Sequence, residues 1–402
     1  MLKLKPLRLS EIYLLLVQLS MMLSSIVFIE PSLSDILVII AFFLVFLRFF
    51  ENNTKLNTPA LLIFIYIVAN ILFSFALRDA ERGIFIITIR IYLALSLWLF
   101  VEIVRRFGNK GIKIIFGGYT FAAIIALVLG LAALFHFIPL DILLTAGRPK
   151  ALFKDPNVFG PFMIPVALYA ALNIELSKGL SRLFWLLIFI ATSLGTALSF
   201  SRGAWLNYTV AFFTYLGIRF FTTPSAKTAI RQFFFYGSLV SILALAFMIL
   251  FANQPEISDF FGERAALQKY DNDRFGVQEA ALNDFISGNL LGIGPGQVEA
   301  TYFISTHSLY VRLLIETSFL GTFSFLGFIA LTLMRSFRFA LKANSSEQGL
   351  FIVFTSAILG ILVNSFVIDS IHWRHFWLLL ALPWGNYSKT IKRGVNSCKL
   401  KH

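Results

Sequence analysis

Hydrophobic positions in this chain fall into long continuous runs, and polar residues are confined to the intervals between them. Continuous runs of this length are the signature of membrane-crossing helices, since a half-buried strand would alternate and a soluble helix would show a polar face. Runs near 11–30, 34–50, 59–77, 84–104, 114–138, 158–175, 183–200, 203–220, 233–252, 308–334, 350–369 and 375–388 predict about twelve helices, or ten or eleven if the shortest do not span. A helix is the expected element because it satisfies its own backbone hydrogen bonds in hydrocarbon. The expected fold is therefore an all-α integral membrane protein, one polytopic domain over residues 1–402.

One interval breaks the rhythm. Residues 253–307 form the longest polar stretch between two apolar runs. Within it Phe275, Leu282, Phe285 and Ile286 recur at helical spacing, with Gln278, Glu279, Asn283 and Asp284 between them, which predicts an amphipathic helix lying along the membrane surface. The run Gly292-Ile293-Gly294-Pro295-Gly296 ends that helix.

Composition agrees with the pattern: 58% hydrophobic residues, 14% charged residues and a mean hydropathy of +0.81 exclude an ordinary soluble domain. The net charge of +13 does not point to nucleic acid, because the basic residues concentrate in alternate intervals, as an orientation signal requires. Lys3, Lys5 and Arg8, the Arg105, Arg106, Lys110 and Lys113 cluster, and the basic C-terminal tail all fall on one side. Both termini are expected in the cytoplasm and residues 253–307 outside. The single Cys398 cannot form an intramolecular disulfide or a thiolate metal site. No small-residue cleavage site precedes Glu30, so the first run is expected to stay as an anchor.

The basic residues that break the orientation rule carry the candidate chemistry. Arg148, Lys150, Lys154, Arg202, Arg264, Lys269 and Arg274 gather on the outer face, and together they suggest an anionic ligand. Singly, each reads equally well as surface charge. Arg202, in Ser201-Arg202-Gly203, is either a guanidinium fork for a phosphate or a snorkelling arginine at a helix end. Arg274 is either a second phosphate clamp or a local partner for a loop carboxylate. Asp271 and Asp273 form a D-x-D pair, read first as solvated acids and second as a cation site. Lys154 precedes Asp155-Pro156-Asn157, a helix-start pattern. The glycine-rich run is a tight turn by default, with anion binding through its backbone as the other reading.

His307 follows Ser305 and Thr306 at the outer mouth of the tenth run. It is either an interfacial histidine bonded to a nearby carbonyl or a general base toward a hydroxyl. Inside the runs, Arg312 and Glu316 stand four residues apart and read as a structural pair. Arg90 has no such partner in its own helix, so it either lines a polar cavity or contacts an anionic ligand.

Taken in order, Asp155-Pro156-Asn157, Ser201-Arg202-Gly203-Ala204, the outside loop with Arg274-Phe275-Gly276 and the glycine-rich run, and His307-Ser308-Leu309-Tyr310 with Glu316 and Gly321 resemble the O-antigen ligase and polymerase superfamily. The resemblance covers roughly residues 150–325. It implies a glycosyltransferase of the GT-C type in the bacterial cytoplasmic (inner) membrane, with its active face toward the periplasm and a place in lipopolysaccharide or polysaccharide biosynthesis. The implied donor is an undecaprenyl-diphosphate-linked glycan, and the implied acceptor is lipid A core or a growing glycan. In that scheme His307 assists the acceptor hydroxyl, and Arg202 and Arg274 hold the leaving diphosphate. Lys154, Arg90, Arg148 and Arg312 are the further candidate substrate contacts. The transfer is expected to invert the anomeric centre without metal or cofactor. One departure concerns the position after the histidine, where the superfamily often has Asn and this chain has Ser308.

The competing expectation is a polytopic secondary transporter of an anionic solute. That reading would place ionisable groups near mid-bilayer and between paired broken helices. The polar candidates gather instead at one face of the predicted bundle, which favours the enzyme.

Overall fold

The apolar runs form helices, and where a run ends the chain supplies a cap or a turn. The structure is a computed structural model that describes residues 9–49, 58–137, 141–252, 262, 269–288, 290–342 and 347–385. In chain order the helices are α1 (Leu9–Met22), α2 (Leu33–Phe49), α3 (Thr58–Leu72), α4 (Ala80–Phe107), α5 (Asn109–Leu134), α6 (Pro156–Leu176), α7 (Gly179–Leu198), α8 (Arg202–Thr222) and α9 (Ala226–Ala252). They continue as α10 (Lys269–Ile286), α11 (Val298–Tyr302), α12 (Leu309–Ala340), α13 (Gln348–Asn364) and α14 (Arg374–Ala381). A two-residue antiparallel pair, β1 (Leu144–Thr145) and β2 (Arg148–Pro149), joins Leu144 to Pro149 and Thr145 to Arg148 between α5 and α6.

The all-α expectation holds, and the architecture fits a membrane protein. The expected count of about twelve spans does not hold: among the described residues, 7 helices are long and apolar enough to cross a membrane. These are α3 extended through the turn that follows it (Thr58–Phe75), α4, α5, α6, α7, the first part of α9, and α12. The difference has a physical cause. Several predicted spans form helices of fewer than 18 residues, the 14 of α1 and the 17 each of α2 and α13, the last contracts to the 8 residues of α14, and α8 is long enough at 21 residues but less apolar. A full crossing needs about 20 residues at 1.5 Å of rise each.

At the centre stands α6, buried along most of its length despite Pro161 and Pro165. The carbonyl of Gly160, in the turn that Pro165 disturbs, accepts the Thr196 hydroxyl of α7 at 3.4 Å. Neighbouring side chains can thus serve backbone that proline disturbs. Helices α7, α8 and α13 pack against α6, and α3 packs along α12. At the periphery α9 exposes Phe233, Phe234, Ile242 and Leu245, a surface suited to lipid.

Two features of this bundle position the candidate site. Gly203, one residue into α8, lies so close to α13 that a Cβ would stand 2.5 Å from Asn364 Oδ1 and 2.6 Å from Ile368 Cδ1. Small residues permit such close helix approach. The second feature is a break in α12 at Ser318 (φ 53°, ψ −167°), whose hydroxyl donates to the Leu290 carbonyl at 2.5 Å. Just before the break, Ile315 O accepts the Ile293 N–H at 2.7 Å. The glycine-rich run therefore docks on the interrupted helix. Gly292 (φ +79°) is needed there, since its Cβ would meet Ile315 O at 2.6 Å.

Candidate functional site

The site is assembled at the start of α12. Ser308 is the N-cap residue, and the Leu309 N–H donates to Ser365 O at 3.0 Å, which ties the entry of α12 to the end of α13. His307 precedes this cap with φ +47°, a left-handed backbone that is uncommon outside glycine. Its own N–H donates to Ser305 Oγ at 3.3 Å. The buried Thr306 offers its carbonyl to Gln278 Nε2 of α10 at 2.8 Å. So the helix of the polar interval is anchored one residue from His307.

That helix forms where the sequence pattern places it, but it buries a narrower face. Ala281 and Phe285 pack with Val298 and Ile315, while Phe275 is 51% exposed and Ile286 73% exposed.

Burial is the main force on the His307 imidazole, followed by the Arg274 guanidinium, and together they hold its pKa down at about 4. Asp155 and Asp369 pull the other way, and Arg312 adds to the depression. His307, Arg274 of α10, and Asp155 at the N-cap of α6 are thus close enough to act on one another electrostatically. Near neutral pH the imidazole is unprotonated, the form that can accept a proton.

The motifs at the starts of α6 and α8 meet directly. Asp155 caps α6 by accepting the Asn157 N–H at 2.7 Å. Asn157 Oδ1 accepts both the Ser201 hydroxyl at 2.9 Å and Arg148 Nη2 at 3.0 Å. Arg148 Nε also donates to Ser199 O at 3.2 Å. Ser201 in turn caps α8 through the Ala204 N–H at 3.3 Å, and Arg202 is the first residue of that helix. Arg148 and the first residue of α8, Arg202, are thus brought to one polar junction at the starts of α6 and α8, while α10, which carries Arg274, is tied beside His307 at the start of α12, and Asp155 acts electrostatically between the two.

Other candidates are placed differently. Lys154 pairs with Glu30 at 2.6 Å. Arg90 is fully buried, donates to Asn70 Oδ1 at 2.5 Å and pairs with Glu316. Arg312 bonds to Glu316 at 3.2 Å, to Asp369 at 2.7 Å, to Ser305 Oγ at 2.8 Å and also to Glu299. Glu299 continues the chain of charges to Arg82 at 2.9 Å. Both buried arginines are thus held by carboxylates of the protein itself. Asp273 is exposed on α10, and the side chains of Asp271, Lys269 and Arg264 lie outside the described residues.

The glycine-rich run serves as a clasp. Gln297, fully buried behind it, accepts the N–H groups of Arg78 and Asp79 at 2.9 and 2.8 Å and donates to Asp79 O at 2.9 Å. The run thereby joins the start of α4 to the break in α12. Asn70, Glu299 and Asp369 are the residues of this region that the sequence reading did not single out. Their partners lie in other helices, and only Asp369 carries a local signal, as an acid closing an apolar run.

No protein-family model and no curated protein matches this chain.

Proposed function

We propose that this chain is a membrane glycosyltransferase that moves a glycan from an undecaprenyl-diphosphate-linked donor to an acceptor hydroxyl on lipid A core or a growing glycan. The observation that carries the reading is His307, a neutral imidazole on a left-handed backbone, within electrostatic reach of Arg274 and of Asp155, the cap two residues before Asn157. The resemblance in sequence supplies the substrate class. The geometry supports it by gathering a proton acceptor and several cations at one end of the bundle.

In this reading the acceptor hydroxyl gives its proton to His307 as its oxygen bonds to the anomeric carbon. The bond from that carbon to the diphosphate breaks, and its electron pair leaves on the diphosphate. Arg202 and Arg274, with Arg148 behind them, oppose the charge that develops on the leaving group. Attack from the side opposite the diphosphate inverts the centre. A diphosphate beside Arg274 also offsets the cation that depresses His307, so donor binding strengthens the base. The positive-inside pattern orients this end toward the periplasm, with both termini cytoplasmic.

The test uses purified full-length protein, lipid-linked glycan and acceptor. His307→Ala is expected to lower kcat by about 100- to 10,000-fold, with the melting temperature preserved. Unchanged transfer would remove His307 from the mechanism. A cysteine placed at Ser258 should react with an impermeant thiol reagent from outside; protection there in folded protein would reverse the orientation.

The transporter reading draws on one observation, the buried charges of α4 and α12. These are matched internally and leave no formal charge for a solute. Uptake of an anionic solute into proteoliposomes, without glycan transfer, would favour it.

A further inference from the structure

A cavity of about 230 Å³ lies beside the proposed site, between α1, α2, α4, α6 and the segment leading into α14. It is lined in part by Lys154 and Asp369. Asp155, next to Lys154, and Asp369 are two of the groups that act on His307. Asp369 pairs with Arg312 at 2.7 Å, Arg312 donates to Ser305 Oγ at 2.8 Å, and Ser305 Oγ accepts the His307 N–H at 3.3 Å, so the cavity wall is joined to the segment that carries the proposed base.

The lining carries its own counter-charges. Its charges are paired within the protein: Glu30 with Lys154 at 2.6 Å, Arg374 with Asp35 at 2.6 Å and with Glu30 at 3.5 Å, and Asp369 with Arg312 at 2.7 Å. An ion entering here would find no unmatched counter-charge. A purely apolar occupant fits no better. Ser20, Ser24 and Ser96 donate their hydroxyl protons to carbonyls of their own helices at 2.7 to 2.8 Å, which leaves their oxygens as acceptors. Nε2 of His372 and Nε2 of His375 are buried and have no hydrogen-bond partner. Sealing such groups behind hydrocarbon leaves their lost hydration uncompensated.

A neutral ligand rich in hydroxyls satisfies these conditions. Trp373 and Phe153 offer aromatic surface to its less polar face, the serines accept from its hydroxyls, and the imidazoles can donate or accept. The volume is small beside the roughly 300–1,000 Å³ of drug-sized sites, which limits the occupant to about one ring. We propose that this cavity is an acceptor subsite that seats one uncharged sugar ring and presents its neighbouring hydroxyl toward His307. The assignment of that ring to the acceptor rests on the glycosyltransferase reading; the preference for a neutral sugar rests on the cavity alone.

Two measurements separate these claims. Saturation-transfer NMR of the full-length protein in detergent, with free hexoses and N-acetylhexosamines as probes, should show ring-proton signals. These should disappear in His375→Phe and in Ser24→Trp, which plugs the half-buried rim and guards against misfolding of the first variant. Absence of ring signals from wild-type protein, or signals confined to the acyl chains of co-purified lipid, would overturn the sugar site. In the transfer assay, His375→Phe and Ser24→Trp should raise the acceptor KM at least tenfold and leave the donor KM within twofold. Transfer that depends on His307 with an unchanged acceptor KM sinks the subsite and keeps the enzyme. Sugar binding without any transfer keeps the cavity as a sugar site but removes the acceptor role and the glycosyltransferase reading together.

Discussion

Two sets of arginines in this bundle differ in where they sit. Arg90 and Arg312 lie inside α4 and α12 and are met by Glu316, Glu299 and Asp369, with Asn70 and Ser305 completing their hydrogen bonds. Arg148 lies in β2, Arg202 begins α8 and Arg274 stands in the second turn of α10, from where it acts on His307. In an apolar chain, position along the sequence does not reveal which arginine is structural. For Arg90 the buried carboxylate that does so, Glu316, sits in another helix.

The sharpest way to break the comparison is to remove His307 and a buried carboxylate in parallel. His307→Ala is expected to cost about 100- to 10,000-fold in kcat while the thermal unfolding midpoint in detergent stays within a degree or two. Glu316→Gln should do the reverse. It leaves Arg90 and Arg312 short of a counter-charge in a buried site, at a cost of about 3–5 kcal/mol, read as a lowered midpoint or as loss of monodisperse protein. The double replacement Arg90→Met with Glu316→Leu should be less damaging than Glu316→Gln, because Arg312 keeps Glu299 and Asp369. If the single and double variants unfold alike, the buried pair is not the unit described here.

This contrast also explains what the sequence made legible. The i, i+4 spacing announced Arg312 and Glu316, whereas the partner of Arg90 lies 226 residues away, beyond any local pattern. The start of α6 could be read from Asp155-Pro156-Asn157, but the side chain of Asn157 does more than a cap requires, since it joins Ser201 and Arg148 across the bundle. Helix identity was legible because apolar runs have few alternatives in a membrane. The number of spans was not, because an apolar run does not mark where its helix stops: the first run extends to about residue 30, and α1 ends at Met22. The glycine-rich run shows the same limit. Its turn was evident, and its docking on Ile315 depended on a break in α12 that only the folded chain reveals.

A smaller effect tests the junction itself. Asn157→Leu keeps the size of the side chain and removes the acceptor shared by Ser201 and Arg148. The expected result is a loss of about 1–3 kcal/mol in transition-state stabilisation or fold stability. If it falls on kcat with the unfolding midpoint held, Asn157 positions Arg148 for the reaction. Should it fall on the midpoint alone, the junction is only a staple between helices.

The smallest expected effect is a shift along the pH axis, and it addresses the link between Arg274 and His307 directly. The imidazole is held at about 4, below its ordinary 6.5, by burial first and by Arg274 second. The folded chain therefore resists protonation there while the unfolded chain accepts a proton. The stability this group contributes is complete above about pH 6.5, declines as the pH falls, and levels off below about pH 4. Activity of the free enzyme, followed as kcat/KM, should show its acid limb near the lower value. Arg274→Gln removes the neighbouring cation, so the limb should move upward toward 6.5 without reaching it, because burial still opposes the charged form. Assays between pH 4 and pH 7 would show this as a steeper loss of activity at pH 5 in the variant than in the wild type. A limb that stays in place would mean that Arg274 does not set the state of the base. Its charge would then act on the leaving group alone.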